Sequence, residues 1–169
     1  GSAGNAEALQ ITCDALCRRF NEACSAAVLQ SEDAVMVAHT SPPRFMSSAP
    51  GVGFRVPAFC SALGRVLLSE TGIDALTLQT RRLTAHTVTD GSELQRLLAK
   101  VARDGYALAD QEAELGFRSI AVPVRRFDGR IVAALNIGVR VERYSPQQMR
   151  SEFLPELLRA AEDLKDRVI

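Results

Sequence analysis

The clearest pattern in the chain is a pair of alternating apolar runs that meet at Asp128-Gly129, within residues 117–138. An Asp-Gly between apolar runs predicts a β-hairpin, because both turn residues must accept positive φ. A two-residue turn would place Phe127 opposite Arg130 and so fix the register of the two strands.

This register sorts the hairpin into two faces of different character, since successive side chains of a strand point to opposite sides of a sheet. Ser119 is expected opposite Gly138, and Ala121 opposite Asn136. One face is apolar and should join the core: Ile120, Val122, Val124, Ala133, Leu135 and Ile137. The other is small and sparsely polar, which suits the floor of a ligand pocket: Ser119, Ala121, Ala134, Asn136 and Gly138.

Helical spacing and capping patterns predict helices on both sides of this hairpin. A stripe of apolar positions predicts an amphipathic helix over about residues 6–24. Further helix starts are predicted at Ser61, at Asp90 with Glu93, and at Ser145-Pro146. Gly105 should end the helix that opens at Asp90. Pro155 should break or kink the last helix after Leu154.

Three other short runs predict strands, at residues 26–29, 34–40 and 106–109. Pro123 lacks an N–H, so its position in the hairpin should lie at a sheet edge or a bulge. Residues 42–57 are rich in Pro, Gly and Ser and are expected to form either a lid over a binding site or a disordered excursion. The order of elements predicts an α+β fold, a mostly antiparallel sheet with helices packed on it.

Composition and charge exclude several classes of function. The chain has 169 residues, and 20 lysines and arginines balance 20 aspartates and glutamates, so nothing predicts nonspecific attraction to nucleic acid or to a membrane. No apolar run is long enough to span a membrane and no signal peptide is visible, so a cytoplasmic location is expected. We expect one domain over residues 6–169, with residues 1–5 as a tag or linker remnant.

The sequence favours a binding protein over an enzyme. It has no G-x-S-x-G, P-loop, H-E-x-x-H or Rossmann motif, and we predict neither a cofactor nor a metal. The chain has four cysteines, and the helical spacing of Cys13, Cys17 and Cys24 indicates a buried, reduced stripe, with disulfides and a metal site as alternatives. Cys60 precedes a helix and could in principle act as a nucleophile, with His39 or His86 as base, although neither spacing argues for it.

Three places could bind a ligand. Exposed amides at the start of the Ser61 helix favour an anion, with Ala62, Leu63 and Gly64 leaving room for a carboxylate. The acidic segment from Asp110 through Glu112 to Glu114 could accept hydrogen bonds from a ligand hydroxyl or close a salt bridge with Arg118 or Arg65. Ser119 and Asn136 could hydrogen-bond a small polar ligand, and Asn136 is unusual inside a strand. Each place has an ordinary structural alternative: a buried helix start, a solvated turn or a packed sheet.

The chain resembles the effector-binding domain of IclR-type bacterial transcriptional regulators. Three blocks carry the resemblance: RVPAFCSALGRVLLSE at 55–70, TVTDGSELQRLLAKVARDGYALADQEAELGFRSIAVPV at 87–124, and GRIVAALNIGVR at 129–140. The second and third blocks are most similar to regulators of aromatic-acid catabolism, such as those of the protocatechuate and 4-hydroxybenzoate pathways. The resemblance implies a GAF-like fold, a small carboxylate effector, homodimers or homotetramers, and DNA binding only through an N-terminal winged helix-turn-helix absent from this chain.

The resemblance also implies a set of effector-binding positions, which coincide with the places above: Ala62, Leu63, Gly64, Asp110, Gln111, Glu112, Ser119, Ala121, Asn136 and Gly138. Gln111 departs from the acidic residue of the family, and Asn136 and Gly138 stand where some members have serines. A glycine at 138 should widen the floor of the pocket and favour a bulkier, flatter effector. The alternatives are a stand-alone GAF-like ligand-binding or signalling module and, less favoured, a small Cys-dependent enzyme.

Overall fold

The computed structural model describes residues 2–45 and 51–169. Within them the helices are α1 (Ser2–Phe20), α2 (Ala62–Leu68), α3 (Gly91–Asp104), α4 (Pro146–Glu152) and α5 (Leu154–Leu164). The strands are β1 (Ala23–Gln30), β2 (Asp33–Thr40), β3 (Arg55–Pro57), β4 (Ala107–Asp110), β5 (Phe117–Arg125) and β6 (Ile131–Arg140). Short 3-10 turns lie at Pro43–Phe45, Ala58–Cys60 and Ala75–Thr77. The predicted α+β class is confirmed.

The described strands form one six-stranded sheet in the order β3-β2-β1-β6-β5-β4, with every neighbouring pair antiparallel. β4 pairs with β5 only from Ala107 opposite Ala121 to Asp110 opposite Arg118. Pro123 lies beyond the end of β4, where β5 is bonded to β6 alone. The predicted edge position of this proline is therefore confirmed.

The two faces of the sheet are covered by different helices. α1, α4 and α5 pack on one face over the main core, which includes the six apolar side chains predicted from the hairpin. α2 packs on the other face, against small residues of the sheet, and α3 packs behind α2. Alanines dominate that second contact: Ala27, Ala34, Ala107, Ala109, Ala121 and Ala134. Small side chains let the helix approach the sheet closely, and this brings α2 over the predicted pocket floor.

The hairpin register is confirmed where it matters for the site, while the turn is different. Ser119 pairs with Gly138 and Ala121 with Asn136. The loop holds three residues, because the N–H of Arg126 bonds the carbonyl of Arg130 at 3.0 Å and Gly129 adopts φ of 88°. A bulge then restores the register.

The bulge lies opposite the junction of Val124 and Arg125, whose partners are Ala133 and Ile131, so Val132 is the extra residue. The predicted pairing of Phe127 with Arg130 is wrong, because Phe127 lies in the three-residue loop and Arg130 is bonded to Arg126. A type I turn with a left-handed glycine and a bulge competes closely with a two-residue turn, and an Asp-Gly pair suits both.

The predicted helix ends agree with the structure except at the first helix. Ser61, Asp90 and Ser145 cap their helices, and Gly105 ends α3 with φ of 80°. The break predicted at Pro155 falls at Phe153, between α4 and α5.

The first helix ends at Phe20 instead of near residue 24, since Asn21 turns the chain with φ of 55°. Cys24 therefore lies in β1 instead of the helix. It packs on the same buried layer as Cys13, which explains why helical spacing appeared to continue. All four cysteines are free and buried, which agrees with the prediction that Cys13, Cys17 and Cys24 are buried and reduced.

The ends of the segment at 42–57 are built into the fold. Its last residues form β3, which pairs with β2 and which the sequence did not predict. Residues 46–50 lie outside the described residues, so the expectation of a lid or a disordered loop stays a prediction. At the amino-terminal end Asn5 is part of α1 and exchanges two hydrogen bonds with Ile169, at 2.8 and 2.9 Å. No described helix is long and apolar enough to cross a membrane.

Candidate functional site

The candidate site lies where the start of α2 meets the Ser119 end of the small sheet face. The carboxyl-terminal end of α2 lies towards the β5–β6 turn, because Glu70 just beyond it pairs with Arg125. The amino-terminal half of α2 lies towards the other end of these strands, where Arg65 pairs with Glu112 just beyond β4. Ser119, two positions from the start of β5, lies at this same end of the sheet. The structure thus brings together the helix start and the polar strand positions that the sequence singled out separately.

A row of polar side chains crosses this end of the sheet. The backbone N–H of Ser25 donates to Oδ1 of Asn136 at 2.8 Å, and Nδ2 of Asn136 donates to Oγ of Ser119 at 2.8 Å. On the other side Oγ of Ser25 lies 2.8 Å from Nδ1 of His39, whose Nε2 contacts Oγ of Ser41. Burial lowers the pKa of His39, so its imidazole is neutral near pH 7 and the row carries no net charge.

Ser25 and His39 are the members of this row that sequence reasoning missed. Ser25 fell between the predicted end of the first helix and the predicted start of the first strand. A β-bulge at Val37 of β2, opposite the junction of Ala26 and Ala27, also shifts the register of β2 against β1. Once β1 is known to begin at Ala23, Ser25 and His39 are direct partners across the ladder.

The space beside the polar row is open at Gly138. A β-carbon built there would have Arg118 O and Nδ2 of Asn136 as its nearest neighbours, both at 4.0 Å. Asn136 itself is only 8% exposed, while Ser119 is partly buried. Ala121 is fully buried in the cluster under α2, so it contributes a wall and not an exposed surface. A side chain at position 138 would therefore have room beside Ser119 and Asn136.

The start of α2 has two buried amides without an acceptor. Oγ of Ser61 accepts from the N–H of Gly64 at 3.0 Å, and its carbonyl accepts from Arg65. Among the described residues, no atom accepts the N–H of Ala62 or of Leu63, whose residues are 1% and 3% exposed. Buried backbone donors seldom lack a partner, so these amides are suited to an anion.

Gly64 has a structural reason to lack a side chain. A β-carbon there would lie 2.2 Å from Cα of Ala58 and 2.3 Å from its carbonyl oxygen. The glycine therefore lets α2 press against the 3-10 turn that precedes it. The sequence predicted that a ligand approaches the backbone closely at Gly64. In the structure the backbone of Ala58 makes this close approach.

The acidic segment after β4 is engaged within the protein. Glu112 and Arg65 form a buried two-pronged pair, with N–O distances of 2.7 and 2.6 Å. Asp110 pairs with Arg118 at 3.0 Å. Both arginine partners were predicted as the alternative to a ligand contact, and this alternative is confirmed. Gln111 adopts φ of 60° and accepts the N–H of Gly116 through Oε1, which shapes the turn between β4 and β5.

The environment of Cys60 opposes nucleophilic chemistry. Its thiol is buried and lies 3.7 Å from the carbonyl of Pro57, and burial raises its pKa to about 11. The thiol is therefore protonated at neutral pH, whereas thiol catalysis needs the thiolate. The described residues contain no cluster of histidine, cysteine and carboxylate groups that could hold a metal ion.

Two open clefts lie elsewhere and contain none of the predicted site residues. One, of about 520 Å³, runs between α1 and α5 along Ile11, Arg19 and Arg159. The other, of about 820 Å³, lies at the β5–β6 turn along Val132, Arg130 and Glu70. Both are broad and edged by solvated charges. Neither contains the row of hydrogen-bonded polar side chains or the unpaired amides at the start of α2, so the Ser119–Asn136 site is the better candidate on chemical grounds.

Comparison with known proteins agrees with this architecture. Residues 3–166 match the family described as Bacterial transcriptional regulator IclR C-terminal. The chain is 34% identical over 157 residues to the Pca regulon regulatory protein of Pseudomonas putida, covering 89% of this chain and 54% of that protein. It is 33% identical over 163 residues to the p-hydroxybenzoate hydroxylase transcriptional activator of Acinetobacter baylyi, covering 90% and 60%.

A solved structure is similar over nearly the whole chain. It is the inducer-binding domain of the PobR transcription factor from Acinetobacter, a double mutant in complex with 3-hydroxybenzoic acid. The TM-score is 0.89 at 30% identity, over 96% of this chain and 98% of that one. The chain spans between half and two thirds of the length of the two regulators above. It belongs to the family of IclR-type bacterial transcriptional regulators and corresponds to their carboxyl-terminal domain.

Proposed function

We propose that this chain is the effector-sensing domain of a DNA-binding transcriptional regulator and that its effector is a small aromatic carboxylate. The family match supports the sensing role, because it covers nearly the whole chain. The names of two relatives refer to aromatic-acid metabolism, and a similar inducer-binding domain holds 3-hydroxybenzoic acid. The proposed site is the set predicted from the sequence, centred on Ser119, Asn136 and Gly138.

One observation carries the proposed site: the open space over Gly138 lies beside a hydroxyl and a largely buried amide that still have hydrogens to donate. A flat ring fits against a strand position that has no side chain. The substituents of the ring can then reach Ser119 and Asn136. Glycine at this position supports a bulkier effector than a serine would admit.

The charge distribution suits an acid. Glu112 would repel an anion near the start of α2, but Arg65 neutralises it through two short hydrogen bonds. The unpaired amides of Ala62 and Leu63 can then receive a carboxylate. Asp110 and Gln111 act on the site indirectly by holding the β4–β5 turn in place. No cofactor is needed for binding of this kind.

Regulation would follow from a change in the arrangement of subunits. We place the DNA-binding function in an amino-terminal winged helix-turn-helix outside this chain, and the assembly is a homodimer or homotetramer in the cytoplasm, without a membrane partner. An effector that binds one arrangement more tightly shifts the population towards it and repositions the DNA-binding domains.

A thermal-shift titration with 3- and 4-hydroxybenzoate tests the proposal. At about a hundred times its dissociation constant, a ligand that binds the folded chain stabilises it by about 2.7 kcal/mol. Gly138→Val should abolish this shift, because the new side chain occupies the open space while the nearest atoms, at 4.0 Å, leave the fold intact.

Arg140→Val is the matched control, since it places the same side chain at an exposed position of β6 and should keep the shift. If aromatic acids leave the melting temperature of the parent chain unchanged, the sensing proposal is wrong. If Gly138→Val keeps the full shift, the acid binds elsewhere.

A further inference from the structure

The two central strands of the sheet, β1 and β6, separate at the end near the β5–β6 turn. The ladder between them stops at Ala27 opposite Ala134. Both strands extend three residues further, β1 to Gln30 and β6 back to Ile131, but these stretches pair only with β2 and with β5. The sheet is therefore forked between its central strands.

The larger of the two open clefts, of about 820 Å³, lies at this fork, and we call it the fork cleft. Val28 and Leu29 line it from β1, and Ile131 and Val132 line it from β6. Ligand pockets usually have volumes of about 300–1,000 Å³, so the fork cleft has room for a small molecule.

The apolar side chains of the fork cleft come from both layers of the protein. One set belongs to the main core under α1 or packs against it: Leu9, Val28, Val37 and Val132. The other set belongs to the cluster under α2 or packs against it: Leu29, Leu67 and Ile131. A ligand in the fork cleft would therefore contact both layers at the place where the strands part.

The charged side chains of the fork cleft are paired, with one exception. Glu70 forms an ion pair with Arg125, and Arg126 holds Asp128 through two hydrogen bonds of 2.9 and 2.7 Å. Arg130 receives Asp128 only through its backbone N–H, at 3.1 Å. Among the described residues no acceptor meets the guanidinium of Arg130, so the cleft has one positive charge available to an anion.

We infer that the fork cleft is a second ligand site, separate from the space over Gly138, and that it binds an amphiphilic monocarboxylate with an unbranched aliphatic chain, such as a medium-chain fatty acid. The guanidinium of Arg130 pairs with the carboxylate. The chain lies along the apolar side chains of the fork, because its freely rotating bonds let it follow the gap and contact both layers. Water in the open cleft bonds the unpaired backbone groups of the two strands.

A series of fatty acids tests the aliphatic part of the site. Burial of one methylene contributes about 0.8 kcal/mol, which is about fourfold in a dissociation constant. The fork cleft is open on one side, so calorimetric titrations should show affinity rising by about two- to fourfold per methylene from hexanoate to decanoate. Binding should saturate at one molecule per chain, with every acid kept below the concentration at which it forms micelles.

Arg130→Gln tests the recognition of the carboxylate. An exposed ion pair changes affinity by up to about fivefold, so decanoate should bind this variant about two- to fivefold more weakly. Decanol has the same chain without the charge and should bind the variant and the parent chain equally. Arg18→Gln is the matched control, because Arg18 is also exposed but lines the cleft between α1 and α5, and it should leave the affinity for decanoate unchanged.

Val132→Trp tests the location of the aliphatic chain. The indole would take the space of several methylenes in the fork, so decanoate should bind about tenfold more weakly or less tightly still. The thermal shift by hydroxybenzoate should remain in this variant. Gly138→Val should show the opposite result, with the hydroxybenzoate shift lost and decanoate binding kept.

The outcomes separate this inference from the sensing proposal. Absence of decanoate binding, affinity that does not rise with chain length, or equal effects of Arg130→Gln and Arg18→Gln overturn the fork site, and the hydroxybenzoate shift is unaffected by any of them. Loss of decanoate binding in Gly138→Val places the fatty acid in the other site and also overturns the inference. If Val132→Trp does not fold, the two arginine variants still decide the location.

Discussion

At the residue scale, Asn136 joins three strands through one side chain. Its amide accepts from β1 and donates to β5 while its own backbone belongs to β6. Asparagine is disfavoured in strands, and a residue that violates local propensity and has all its neighbours arranged around it usually serves a site. The backbone N–H of Ser25 keeps that side chain in one orientation, and the side chains of Ser25 and His39 extend the row to β2.

The buried imidazole of His39 should make stability depend on pH. Burial lowers its pKa in the folded chain below the ordinary value of 6.5. The unfolded chain therefore takes up a proton first as the pH falls, and stability is lost from about pH 6.5 down to the folded pKa. The free energy of unfolding, measured by urea titration between pH 7.5 and 5, should fall less steeply for His39→Gln than for the parent chain. The same pH dependence of the free energy of unfolding in the variant and the parent chain would contradict this.

The partners of a residue could be predicted from sequence only where they follow from positions close to it along the chain. The pairing of Ser119 with Gly138 followed from alternation and one turn, and it is confirmed. The partnership of Ser25 with Asn136 joins residues 111 positions apart, and no periodicity encodes it. The bulges at Val132 and at Val37 shift the alternation by one residue, so they cannot be recognised until a partner strand is known.

At the scale of elements, the position of α2 is set by the contact of Gly64 with Ala58. The helix has seven residues and all of them are buried, so tertiary contacts and not helix propensity hold it in place. The sequence predicted its start at Ser61 from the capping pattern. It could not predict what the helix packs on, because the partner turn is formed by residues with no pattern of their own.

Gly64→Ala should therefore destabilise the chain despite the better helix propensity of alanine. The added β-carbon would lie 2.2 Å from the backbone of Ala58, and relieving such a clash typically costs about 1–3 kcal/mol. Gly4→Ala, in α1, meets no atom within 4 Å and is expected to change stability by less than about 1 kcal/mol. Chemical denaturation of both variants measures the difference. Equal stabilities would show that α2 can move without cost.

At the scale of the whole molecule, we propose that the two faces of the sheet divide stability and binding between them. The face under α1, α4 and α5 is filled with large apolar side chains. The face under α2 carries alanines, the polar row and Gly138. The α+β class and the order of elements were predictable from periodicity. The edge strand β3 was not, since its three residues are too short to show alternation.

Neighbouring residues of β5 should show this division directly. Ile120 is fully buried in the main core, and Ile120→Ala should reduce the free energy of unfolding by about 2–5 kcal/mol. Ser119→Ala removes one hydrogen bond from Asn136 and should cost about 0.5–1.5 kcal/mol. Its main effect should instead be on the thermal shift by hydroxybenzoate. Equal losses of stability would mean that both faces serve the core alike.

The prolines at the sheet borders limit how copies of this chain can associate. Pro123 removes a backbone donor from the stretch of β5 that β4 leaves uncovered, and the outermost strand β3 is only three residues long and contains Arg55 and Pro57. Short, charged or proline-bearing borders discourage strand addition from another molecule. Concentrated solutions should therefore resist fibril growth by strand addition.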